Sequence, residues 1–226
     1  MDRRGEIRQA YGSLGGDATF YDGMITCSTF WGRVVSRLVW NLDRTKTRRY
    51  QEAVVSGIQS GFAGKILEVP VGTGVITMPF YKTLPDAEIT CLDYSPEMMT
   101  MAQRLASALE IGNVRFVQGD VGDLPFGNES FDVVLSLNGF HAFPEKESAY
   151  NETFRVLKRG GVLCGCFAVM GENRRTDWII RHVYTPMGYC TPPYESADSL
   201  RRRLEAMYRE VELTTVESIA VFRAVK

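Results

Sequence analysis

Lys65-Ile66-Leu67-Glu68-Val69-Pro70-Val71-Gly72-Thr73-Gly74 is the stretch on which the fold turns. A β-rich apolar run stops at an acidic residue, gives way to glycines and passes into helix-compatible sequence, the pattern of a strand, a tight turn and a helix. Gly72 and Gly74 free the backbone to approach a ligand and to take positive φ, and the helix behind them directs its first N–H groups to the same place. Farther on, Ala87-Glu88-Ile89-Thr90-Cys91-Leu92-Asp93 reads as a second strand ending in a carboxylate, the group a ribose diol requires. The two strand ends predict a ligand crevice of nucleotide type.

Spacing separates two ligand classes. A dinucleotide fingerprint G-x-G-x-x-G/A closes on a small residue that packs helix against strand, and in Gly72-Thr73-Gly74-Val75-Ile76-Thr77 a threonine stands there. Nicotinamide binding is thereby demoted. The order of acidic residue, G-x-G and acidic strand end resembles motif I and its successor in class I S-adenosylmethionine-dependent methyltransferases. Asp120-Val121 with Leu124-Pro125-Phe126, and then Arg155-Val156-Leu157-Lys158-Arg159-Gly160-Gly161, follow in the family's order. Tyr21-Asp22-Gly23-Met24 is similar to the Tyr-Asp-x-Met segment of the small-molecule branch that serves ubiquinone and menaquinone biosynthesis.

A chain of 226 residues, 45% hydrophobic and 23% charged, suits one soluble α/β domain. Its formal net charge of -1 argues against a general nucleic-acid binder, which needs a basic footprint. No apolar run reaches the roughly 18 residues of a membrane span, and Met1-Asp2-Arg3-Arg4-Gly5-Glu6 lacks the apolar core of a signal peptide. The expectation is a cytoplasmic protein with a small-molecule acceptor, no nucleic-acid partner and no membrane span; peripheral membrane contact and the oligomeric state stay open. Cys91, Cys164 and Cys166 fall in runs that read as buried strands, so plain buried thiols are expected rather than disulfides. No His/Cys/Asp cluster has metal-ligand spacing, and no metal is expected.

Residues 1–60 are too aromatic and apolar for a linker. Trp31, Val34, Val35, Leu38 and Leu42 recur at helical spacing with Arg33, Ser36 and Arg37 between them, predicting an amphipathic helix whose apolar stripe covers something. Packing on the sheet and a lid that closes over the acceptor or touches a membrane are both open. Arg44-Thr45-Lys46-Thr47-Arg48-Arg49 reads as a solvated face, with phosphate or headgroup binding as the other use. From Gly64 the chain alternates strands at 64–70, 87–93, 114–118, 131–137 and 161–169 with helices at 74–84, 95–109, 144–157 and 196–208. Ser95-Pro96-Glu97 supplies an N-cap, a proline at N1 and a first-turn acid. Glu210 to Thr215 and Glu217 to Val225 are separated by so little that only an antiparallel hairpin joins them. Residues 170–195, rich in tyrosine and proline, interrupt the alternation. The expected fold is α/β: a doubly wound, seven-stranded, mostly parallel Rossmann-like sheet with an antiparallel C-terminal hairpin and a helical N-terminal lid. It makes one domain, 1–226, divided into a lid (1–60), a cofactor-binding core (64–169), a lid insertion (170–195) and a terminal helix with hairpin (196–226).

The resemblance implies S-adenosyl-L-methionine as methyl donor and S-adenosyl-L-homocysteine as product. It sets Glu68 near the methionyl ammonium, Gly72, Thr73 and Gly74 along the donor, Asp93 on the ribose hydroxyls, Tyr94 and Met98 beside adenine, and Asp120 with the Val121 N–H on the adenine edge. Pro70 occupies the family's first glycine position, a departure, because proline fixes φ at about -65° and has no N–H. Asn138 lies where such enzymes bring donor and acceptor together. Tyr21 and His141 are the candidates for catalytic contact; an ordinary histidine pKa of about 6.5 lets His141 take an acceptor proton near neutral pH, and simple packing on the cofactor is its other role. His182 has less support. The function implied is methyl transfer to a small, partly apolar acceptor by in-line displacement, which needs alignment and exclusion of water rather than a metal or a covalent nucleophile. A non-catalytic cofactor-binding protein of the same fold is the alternative, motivated by Pro70 and the lack of a clear base.

Overall fold

The computed structural model describes residue 5 and residues 18–226; the part of the expected lid before residue 18 otherwise lies outside the described residues. In chain order the elements are α1 (Ala18–Ile25), α2 (Phe30–Trp40), α3 (Arg44–Val55), β1 (Lys65–Glu68), α4 (Thr77–Tyr81), β2 (Glu88–Asp93), α5 (Pro96–Ala108), β3 (Val114–Gln118), β4 (Phe131–Leu137), α6 (Lys146–Val156), β5 (Leu157–Ala168), α7 (Arg174–Ile179), a π-helical turn (Ile180–Tyr184), α8 (Ala197–Met207), β6 (Glu210–Val216) and β7 (Ile219–Val225). Among these residues one seven-stranded sheet runs β3-β2-β1-β4-β5-β7-β6. Pairing is parallel from β3 through β5, and β7 enters antiparallel between β5 and β6.

Period-2 alternation sends successive side chains to opposite faces, and both faces are buried. Ile66, Ile89, Leu135 and Cys164 pack with Tyr50 and Val54 of α3, Met78 and Tyr81 of α4, and Ala102 of α5. Leu67, Leu92, Val134 and Leu163 pack on the other side with Tyr150 of α6 and Leu200 and Leu204 of α8. Strand order reverses between β1 and β4, so their carboxyl ends splay around a crevice at the switch point. All five cysteines are buried thiols.

Three expectations are corrected. The helix expected over 74–84 spans only Thr77–Tyr81, because Gly74 has φ +72° in the turn before it and Pro85 disfavours helical backbone at Leu84. β5 starts at Leu157 rather than Gly161, directly from α6, with an irregular register between Phe131 and Val133 of β4. The third concerns α2, whose apolar stripe turns inward only in part: Leu42, just past its end, is buried, but Trp31 is 66% exposed and Leu38 57%. Its buried residues are Gly32 and Ser36. A Cβ on Gly32 would stand 2.1 Å from the Gly23 carbonyl oxygen, and the Ser36 hydroxyl donates to the Met24 carbonyl at 2.6 Å. Small residues permit this close contact with α1, and a helix face that docks through them leaves the larger apolar side chains outside.

Candidate active site

The loop after β1 is held from both sides. The Val69 N–H donates to the Leu135 carbonyl of β4 at 2.9 Å, and the Val71 N–H to the Leu92 carbonyl of β2 at 2.9 Å. Between them, the Val69–Pro70 peptide is cis. Gly72 and Gly74 take φ +57° and +72°, the left-handed region that glycine enters without a Cβ penalty. Together with the ends of β2 and β4 this loop walls a cavity of about 130 Å³. Tyr21, Glu68, Pro70, Gly72, Thr73, Gly74, Asp93, Tyr94, Met98, Asp120, Val121 and Asn138 all line it. Residues scattered over some 120 positions of sequence are thus brought to one place.

Asp93 is buried, and its carboxylate braces the site. Oδ2 accepts from the Gly72 N–H at 2.8 Å and Oδ1 from the Ser95 N–H at 2.8 Å. Each carboxylate oxygen retains a lone pair for a further donor. Burial raises its pKa to about 6 against the lowering effect of these backbone hydrogen bonds. Glu68 lies deeper. The Tyr81 hydroxyl donates to its Oε2 at 2.9 Å and the Cys91 thiol approaches at 3.5 Å, but burial dominates and pushes the carboxyl up to about 8. The Asp120 Oδ1 accepts from the Gly122 N–H at 2.8 Å. Asn138 adopts φ +54° and donates its N–H to the Cys166 carbonyl at 2.7 Å.

A second cavity of about 260 Å³ adjoins the first, with Tyr21, Ile25 and Asn138 lining both. Its walls are mostly apolar and aromatic: Met24 from α1, Val35 and Trp40 from α2, Tyr50 from α3, and Tyr184 and Tyr189 from the 170–195 segment. Trp40 and Tyr184 stack at 5.4 Å, and the Thr176 hydroxyl donates to the Val39 carbonyl at 2.7 Å, so α2 and the 170–195 segment meet above the cavity. His141 lines this second cavity and not the first. Its Nδ1 is buried without a hydrogen-bond partner, and burial, aided by the Lys146 ammonium, lowers its pKa to about 4. The imidazole is neutral at pH 7 and a weaker base than an ordinary histidine. His182 stacks on Trp178 at 4.8 Å and lines neither cavity.

Sequence reasoning missed two parts of the site. The Thr73 hydroxyl donates to Asp22 Oδ1 at 2.7 Å, tying α1 to the glycine loop, and Thr47 and Tyr50 reach the second cavity from a helix whose arginines and lysine dominated its reading. Tyr50 alternates with charged residues at helical spacing, the signal of an inward face, but nothing local says what that face meets. Gly139 carries a further constraint: a Cβ there would lie 2.4 Å from Pro70 Cδ and 2.7 Å from Phe143 Cζ. Gly139→Ala is expected to push the Pro70 loop out of place and lower ligand affinity in the first cavity about tenfold or more, since such overpacking costs about 1–3 kcal/mol. Equal affinities by titration calorimetry would show that the loop yields without consequence.

Residues 66–161 match a family model described as "Methyltransferase domain". The chain is 37% identical over 99 residues to a demethylmenaquinone methyltransferase of Thermus thermophilus, covering 44% of each. It is 29% identical over 173 residues to the ubiquinone/menaquinone biosynthesis C-methyltransferase UbiE of Azotobacter vinelandii, a match over 73% of this chain. The chain spans 44% of the first relative's length and 66% of the second's. In fold it is similar to an S-adenosylmethionine-dependent methyltransferase of Thermotoga maritima, described as a possible histamine N-methyltransferase, with a TM-score of 0.67 and 17% identity over 96% of this chain and 99% of that one. By domain match, fold and strand order, this chain is similar to the class I S-adenosylmethionine-dependent methyltransferases, and its sequence likeness is to their quinone-biosynthesis branch.

Proposed function

We propose that this chain transfers a methyl group from S-adenosylmethionine to a small, largely apolar acceptor of phenol or reduced-quinone type. One observation carries the reading: two cavities of different character meet at Tyr21, Ile25 and Asn138. The first suits the donor. Its glycine loop presents backbone without side chains, the Asp93 oxygens keep lone pairs for a diol, Tyr94 and Met98 offer an apolar wall, and Asp120 lines the same cavity. Glu68 is suited to a cationic ammonium, which would draw its carboxyl into the charged form. When bound, the donor supplies an electrophilic sulfonium methyl group.

The second cavity takes the acceptor. Its aromatic walls favour a planar ring, and the names of the two quinone-pathway relatives are consistent with that class. The unpartnered Nδ1 of His141 accepts a hydrogen bond from an acceptor hydroxyl and orients it. Tyr21, at the junction, fixes the approach of one cavity's occupant to the other's. α2 and the 170–195 segment form the roof that excludes water, the condition under which an in-line displacement gains most from alignment.

The test is donor titration followed by methyl-transfer assays over hydroquinones, phenols, amines and thiols. Turnover is expected on hydroquinones or phenols bearing an apolar substituent. His141→Phe should leave donor affinity unchanged and cut turnover about tenfold, the effect of one lost orienting hydrogen bond. Donor binding with no turnover on any acceptor would establish the non-catalytic alternative.

A further inference from the structure

The outward face of α2 is the least expected surface of this chain. Trp31 and Leu38 are seven residues apart and so lie on one side of the helix, with Phe30 beside them, all exposed. Val35, about 40° around the same helix from Trp31, lines the second cavity. Phe20 and Met187 do both: each lines that cavity and is itself exposed. The apolar surface therefore runs up to the mouth of the aromatic pocket.

Charge on these elements is one-sided. α2 and residues 174–184 carry five arginines, Arg33, Arg37, Arg174, Arg175 and Arg181, against one acid, Asp177, in a chain whose formal net charge is -1. Asp177 turns its carboxylate to the Gly171 N–H. Asp43 lies 3.8 Å from Arg37 across an exposed pair, which contributes little, and Glu172 is the one further acid just ahead of Arg174. Three of the four cations in the neighbouring run 44–49 are otherwise engaged: Arg44 donates to the Cys27 carbonyl, Lys46 pairs with Glu217, and Arg48 with Glu52. Exposed tryptophan, phenylalanine and leucine flanked by arginine form a face that inserts at a lipid–water boundary while its cations meet anionic headgroups. Among the described residues no helix is long and apolar enough to cross a membrane.

We infer that α2, with the adjoining 174–187 segment, docks the protein on an anionic phospholipid bilayer and presents the mouth of the second cavity to it. An apolar acceptor then passes from lipid to cavity without crossing water. The inference takes the acceptor class from the proposed function, but the docking itself is measured without turnover, so the two fail separately.

The experiment uses the full chain in flotation with vesicles of phosphatidylcholine alone and of phosphatidylcholine with phosphatidylglycerol, at low and high salt. Binding is expected to the anionic vesicles and to fall with salt, as headgroup attraction is screened. Arg33→Gln and Arg37→Gln should each weaken it about fivefold, the contribution of one basic residue near an anionic surface. Trp31→Ser with Leu38→Ser should weaken it at least as much. All four positions are off the cavities, so melting temperature and turnover of a water-soluble acceptor should match the parent. Absence of vesicle binding, binding indifferent to these substitutions, or self-association by light scattering that Trp31→Ser with Leu38→Ser abolishes would each overturn the inference; the last would assign the face to a second copy of the chain.

Discussion

Asp93→Ala is expected to lower affinity for S-adenosylhomocysteine and to lower the melting temperature as well. The affinity loss comes from the two carboxylate lone pairs that face the first cavity. Hydrogen bonds to a charged group contribute about 1.5–3 kcal/mol, a loss of ~10- to 150-fold in Kd. The stability loss has a different origin. Gly72 and Ser95 give their N–H groups to the two Asp93 oxygens at 2.8 Å, and alanine leaves both donors without a partner, at about 1–3 kcal/mol for each one that stays buried. Titration calorimetry and a thermal melt read the two effects separately. Unchanged affinity would remove Asp93 from the ribose; an unchanged melt would show that the glycine loop does not depend on it.

The second large effect is a dependence of stability on pH that runs opposite to ordinary acid denaturation. Burial raises the folded-state pKa of Glu68 from 4.5 to about 8. Between those values the folded protein holds a proton that the unfolded chain has lost, so stability without ligand falls as pH rises through that window. At ~1.4 kcal/mol per unit for a single group, the decline from about pH 5 to about pH 8 amounts to ~4 kcal/mol. Asp93, raised to about 6, adds to it in the lower part of the window, and His141, lowered from 6.5 to about 4, opposes it there, so that of the three only Glu68 drives the decline above about pH 6.5. Glu68→Gln keeps an acceptor for the Tyr81 hydroxyl and removes the titration, so its stability should be flatter with pH and exceed the parent's at the alkaline end. A donor carrying an ammonium reverses the preference: its binding should expel the Glu68 proton near neutral pH, seen as a buffer-dependent heat in calorimetry. Parallel pH profiles for parent and variant would show that Glu68 is ionised in the free protein and that its burial is relieved by solvent.

Which of these features the sequence held is clear from how local each one is. Strand ends at Glu68 and Asp93, the cap at Ser95 and the hairpin after Glu210 are written in neighbouring residues: apolar alternation, a Ser-Pro-Glu start, a connection too short for a crossover. A parallel sheet fed by alternating helices has few topologies open to it, and so the positions that end its strands already mark the crevice. That is why twelve of the residues chosen from sequence line one cavity. Tertiary structure decided what contiguity could not express. The Gly23–Gly32 contact and the Ser36–Met24 hydrogen bond set the inward side of α2, leaving Trp31 and Leu38 of its apolar stripe outward while Val35 and Leu42 face the second cavity. Burial, a property of the whole packing, fixed the charge states of Glu68 and His141. The second cavity, assembled from α1, α2, α3 and the 170–195 segment, exists only where those distant pieces meet.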